Sequence, residues 1–114
     1  MELKNYLHYY LRSNLTVVLK INGEDTLGEL MGYDAYANHW IIRTDKIFQP
    51  KVYVEIDKTN HIKPILKRSD DIYSDPAPAL SFDYMLKCQY DIFGLIDAGL
   101  AIDFNNYFSE NLSA

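Results

Sequence analysis

The sequence predicts an α+β fold: an N-terminal helix, a small, strongly bent antiparallel β-barrel and a C-terminal helical segment. Three observations predict it. Leu3, Tyr6, Leu7, Tyr10 and Leu11 recur at the spacing of one helical face. From Leu15 the period becomes two, with Leu15, Val17, Leu19 and Ile21 pointing one way and Thr16, Val18 and Lys20 the other. Gly28 and Gly32 then interrupt a second strand, where a bulge or bend lets a small sheet curl over.

At 114 residues the chain is one domain, residues 1–114, with a core of modest size. The helix takes residues 1–12 and the barrel residues 15–66. A linker covers 69–78, and a helical cap covers 79–108. Ser13-Asn14 ends the helix, and Asn22-Gly23, two residues tolerant of positive φ, turns the first hairpin. The second strand runs from about Thr26 to Tyr33, with Leu27 facing opposite to Leu30. Asp34 to His39 is a polar turn, and Trp40 to Thr44 is a third strand. Lys51 to Ile56 alternates as a fourth. Asp57 to Asn60 turns into a last strand, His61 to Leu66, in which Pro64 requires an edge or a bulge. The run SDDIYSDPAP has a linker's composition. Beyond it, Ala79 to Tyr90 and Asp91 to Ala98 read as helices, the second ended by Gly99. Ala101 to Phe104 is a short extended piece, and the tail from Ser109 frays.

Hydrophobic residues make up 48% of the chain, enough for a packed globule rather than a disordered one. The formal charge of -5 disfavours a broad phosphate-binding face, and Lys63, Lys67 and Arg68 are the only compact basic cluster. A single cysteine, Cys88, excludes an intrachain disulfide and suits a reducing compartment. MELKNYLHYY lacks a cleavable apolar core and no apolar run reaches spanning length, so the expectation is a cytoplasmic protein without membrane contact.

Catalytic and metal constellations find little support. His8, His39 and His61 lie outside metal-ligand spacings, and no glycine-rich phosphate loop is present. Asp70, Asp71 and Asp75 are acidic but sit in the linker, where solvated carboxylates are the ordinary case. Cys88 reads as an inert buried thiol. No cofactor is implied. Among the ten tyrosines, Tyr6 and Tyr10 belong to the helical stripe and to the core. Tyr33, Tyr36 and Tyr53 lie on strands or turns, where rings either fill the core or stack bases.

The segment GELMGYDAYANHWII resembles the first signature of the Sm and Sm-like (Hfq-related) RNA-binding proteins: a glycine-bearing strand, then Asp, an aromatic, Asn and an apolar strand. The resemblance implies an Sm-like or SH3-like barrel preceded by a helix. It also implies a base-binding loop in which Tyr36 stacks, Asn38 hydrogen-bonds the base edge and Asp34 orients the turn. The Arg-Gly turn of the family's second signature is missing: HIKPILKR has Lys63-Pro64 there, which removes half of the base pocket. The pieces IKPILKRSDDI and YDIFGLIDAGLAIDFN resemble small uncharacterised proteins of Bacteroidetes phages and prophages, which implies a phage-related or mobile-element origin and no known activity.

Three functions follow, in order. The first is a non-catalytic binding module acting through a protein partner or self-association. The second binds single-stranded RNA through Asp34, Tyr36 and Asn38. The third is a metal-dependent hydrolase built on Asp70, Asp71 and Asp75.

Overall fold

The computed structural model describes residues 1–68 and 82–112, with side chains up to 108. The linker with its three aspartates lies outside the described residues, as does the start of the expected helix at Ala79.

Seven strands form one mixed sheet. They are β1 (Thr16–Ile21), β2 (Glu24–Asp34), β3 (His39–Thr44), β4 (Lys51–Glu55), β5 (Ile62–Arg68), β6 (Tyr90–Asp91) and β7 (Ile102–Asp103). The order is β4-β3-β2-β1-β5-β6, and β7 also pairs with β5. The first four pairings are antiparallel, as alternation predicts, whereas β6 and β7 run parallel to β5. Asn22 and Gly23 have φ of 53° and 83°, the positive values that a tight hairpin turn needs. In β2 the register against β3 shifts between Leu30 and Gly32, so Met31 is the extra residue of a bulge.

The sheet does not close, which corrects the expected barrel. Closure would require the fourth and fifth strands to meet, yet among the described residues β4 pairs only with β3. After β4 the chain takes two short 3-10 turns over Ile56–His61, kinked at Lys58, before entering β5. Beyond β1, the partners of β5 are the two-residue strands β6 and β7. Among the described residues, Pro64 falls where β1 is the only partner of β5, so its missing N–H leaves no second ladder short of a donor.

The expected N-terminal helix is likewise corrected. Leu3–Asn5 and Leu7–Tyr10 are two 3-10 turns, separated by Tyr6 at φ −117°. Their apolar stripe nevertheless does the predicted packing: Leu3, Leu7 and Tyr10 are buried with Leu15, Val17, Leu19, Leu30, Trp40, Ile42, Ile62 and Leu66. A segment this short gains little from helix propensity, so packing decides its geometry. Burial, and then the nearby Asp91 charge, push the Tyr10 phenol above its ordinary pKa, and its hydroxyl donates to the Tyr90 carbonyl at 2.6 Å.

Among the described residues the C-terminal segment contains only small helices, α1 (Phe82–Lys87) and α2 (Phe104–Leu112). Between them Asp91 acts as a cap, its two carboxylate oxygens accepting the N–H groups of Leu95 and Ile96 at 2.8 Å each. Gly94 and Gly99 adopt φ of 79° and 77°, and the stretch from Gly94 to Gly99 is turns rather than the expected helix. Phe93 meets Tyr6 and Tyr9 at ring separations of 4.9 and 5.1 Å, pinning this segment to the N-terminal turns. No helix among the described residues is long and apolar enough to cross a membrane.

The segment after β4 is locked by Trp40, whose indole N–H donates to the buried Thr59 hydroxyl at 2.8 Å. That hydroxyl donates in turn to the Ile56 carbonyl at 2.6 Å. Thr59→Val keeps the shape but leaves a buried N–H without an acceptor. The expected loss is about 1–3 kcal/mol, read as a lower denaturant midpoint at unchanged m-value.

Candidate functional site

An outer backbone ladder with no strand partner among the described residues lies along β4. Two hydrogen bonds flank its pairing with β3: Ile56 N–H donates to the Asn38 carbonyl at 3.0 Å, and Thr44 N–H to the Pro50 carbonyl at 2.9 Å. Between them Trp40 lies opposite Val54 and Ile42 opposite Val52. Antiparallel alternation therefore turns the backbone groups of Val52 and Val54 toward β3, and those of Lys51, Tyr53 and Glu55 away from it. No strand among the described residues takes up that outer edge.

The side chains alternate in the same way. Val52 and Val54 share the face of Trp40 and Ile42 and are half-buried, whereas Lys51, Tyr53 and Glu55 are exposed. The loop entering β4 carries two apolar side chains with no cover, Ile47 at 89% exposure and Phe48 at 100%. Thr44 holds the base of this loop, donating its hydroxyl to the Gln49 carbonyl and accepting the Lys46 N–H. An open cleft of about 690 Å³ runs along β4, with Val18, Lys20 and Lys63 among the residues of its facing wall.

The residues singled out from the sequence stand at the turn between β2 and β3. Asp34 ends β2 and accepts the N–H groups of Tyr36 and Ala37 at 3.0 and 3.2 Å, holding the turn as an Asx motif. Asn38 takes φ 57°, and its side-chain oxygen accepts the Tyr33 hydroxyl at 2.8 Å. Tyr36 projects from the tip, wholly exposed. The turn thus brings the three together, with one Asp34 oxygen and the Asn38 oxygen engaged in holding it.

Among the described residues, the basic cluster and the histidines do not gather at this turn. Of the basic cluster, Arg68 is bound to Asp103 and Asp97 at 2.6 and 3.1 Å, and Lys67 lies over the Tyr90 and Phe104 rings. Only Lys63 of the three lines the cleft. His39 and His61 both border the cleft, and His8 stacks on Tyr9 at the surface. Cys88 is half-buried rather than buried. Among the described residues no three His, Cys, Asp or Glu side chains gather into a metal-binding group.

Comparison with protein-family models, with curated proteins and with solved structures returns no match. The resemblance of residues 28–42 to the Sm signature therefore rests on the quoted residues alone.

Sequence reasoning missed the β4 edge. Alternation located the strand, but an unpaired edge is defined by which strand is absent. A signal did exist in the pair Ile47-Phe48, set in a loop otherwise made of Asp45, Lys46, Gln49 and Pro50.

Proposed function

We propose that this chain is a non-catalytic binding module that acts through protein–protein contacts. The observation that carries this reading is the outer edge of β4, lying beside two fully exposed apolar side chains, Ile47 and Phe48. A free ladder supplies directional hydrogen bonds to an incoming strand, and adjacent apolar side chains supply area and position. The net charge of -5 favours solubility without favouring phosphate backbones.

A second reading, single-stranded RNA held at Asp34, Tyr36 and Asn38, is favoured by one observation: the Tyr36 ring is wholly exposed on a turn held by side-chain hydrogen bonds. Such a ring stacks a base without regard to sequence.

One experiment separates the two. A photo-reactive benzoylphenylalanine is placed at position 48 or at position 36, and the full chain is irradiated in cells. Protein adducts at 48 support the first reading, and RNA adducts at 36 the second. Absence of adducts at both positions refutes both. In vitro, RNA binding through the turn would weaken about tenfold in Tyr36→Ala and fall with added salt, as measured by fluorescence anisotropy of a short oligonucleotide.

A further inference from the structure

We infer that the β4 edge pairs with the β4 edge of a second copy of this chain, antiparallel about a two-fold axis through Tyr53. This inference rests on the protein-contact reading above and names the partner. Its warrant is the order of residues in β4, Lys-Val-Tyr-Val-Glu.

Antiparallel pairing centred on Tyr53 places Lys51 opposite Glu55 of the second copy, and Glu55 opposite its Lys51. Both ends of the pairing then carry opposite charges, a favourable cross-strand arrangement. Among the described residues neither Lys51 nor Glu55 has an ion-pair partner within the chain. The register also agrees with the backbone. It makes 51/55 and 53/53 the hydrogen-bonded pairs, and these are the residues whose N–H and C=O groups already point outward. No strand rotation or bulge is needed.

The inner face is completed by the same register, with Val52 of each copy against Val54 of the other. All four are half-buried in the single chain. Beyond the strand, the loop bearing Ile47 and Phe48 passes toward the 3-10 segment Ile56–His61 of the second copy.

Charges on an edge strand ordinarily discourage pairing. Here they discriminate instead. A parallel arrangement sets Lys51 beside Lys51 and Glu55 beside Glu55, and a two-residue slip sets Lys51 beside Tyr53. Only the centred antiparallel register satisfies both charges, so the edge is restricted to one partner orientation.

The test uses the full chain in light scattering over a range of concentrations. The expected species has twice the 13.3 kDa chain mass. Lys51→Glu and Glu55→Lys, each alone, are expected to weaken dimerisation about tenfold, because each substitution places like charges opposite one another at both ends. Two combinations restore it: the two single variants mixed, which form a heterodimer, and the double variant K51E/E55K. Tyr53→Pro removes an outward amide and no bond to β3, so it yields a monomer with an unchanged circular dichroism spectrum.

A dimer indifferent to these charge changes would overturn the pairing while leaving the protein-contact reading in place. So would a monomer whose position-48 adducts contain a different protein. A monomer with no position-48 adducts would overturn the pairing and the reading together.

Discussion

Phe93→Ala is expected to destabilise the protein by about 3 kcal/mol, near the lower end of the range for losing a packed phenylalanine, because the ring is half-buried. The ring joins parts of the chain that are far apart in sequence. It lies 4.9, 5.1 and 6.2 Å from Tyr6, Tyr9 and Tyr10, and 6.0 Å from Phe82. Tilted and edge-on ring pairs of this kind add about 0.5–1.5 kcal/mol each beyond the area they cover. Truncation also opens a void beneath Tyr10, whose hydroxyl reaches the Tyr90 carbonyl and ties the same two segments together. Thermal unfolding should shift down by roughly 10 °C. Phe93→Leu, which restores apolar volume without the ring, should recover about half of the loss. A loss below about 1 kcal/mol for the alanine variant would show that the two segments hold without the cluster.

The prediction bears on which features a linear reading can see. The N-terminal stripe of Leu3, Leu7 and Tyr10 was legible as a buried face, because spacings of three and four residues return a side chain to the same side. The backbone beneath it was not legible: 3-10 turns present nearly the same spacing, and the run breaks at Tyr6, whose ring packs against Phe93. At the other end, the sequence places Asp91 and Gly99 as the start and stop of a helix. Both do stand at the ends of the segment, Asp91 by accepting two N–H groups and Gly99 at φ 77°. Gly94 at φ 79° stands between them, in a backbone region that a continuing helix does not use.

Barrel closure is not legible in the sequence for a different reason. Alternation and the Asn22-Gly23 turn specify neighbouring strands, and those pairings formed. Closure depends on the distant pairing of β4 with β5, and here β5 pairs instead with β1, β6 and β7. Strands of two residues carry no readable period. The β4 edge escaped notice for the same reason, since it exists only because closure fails. The turn at Asp34, Tyr36 and Asn38 was legible because its signals are local: an Asx residue bonding two positions ahead and an asparagine in the left-handed region.

Gly28→Val is expected to be as damaging as the loss of Phe93, again about 3 kcal/mol, but through overpacking rather than a cavity. Gly28 lies in the middle of β2, opposite Val17 on β1 and Thr44 on β3. A Cβ built there would stand 2.5 Å from Ile42 Cγ2, 3.2 Å from the Arg43 carbonyl oxygen and 3.3 Å from Leu19 Cδ2. Ile42 is wholly buried, so it has no free space into which to withdraw, and the backbone carbonyl is fixed by the sheet. The glycine is therefore where the core approaches the backbone of a central strand, a different role from the bend assigned to it by pattern alone. The bend itself falls at Met31. Combining Gly28→Val with Ile42→Ala removes the branched carbon that causes the clash. The pair should then lose markedly less than the sum of its single losses, a coupling read from urea denaturation of the four proteins. Strict additivity would show that β2 relieves the clash by moving, and that this close approach does not fix the spacing of β2 and β3.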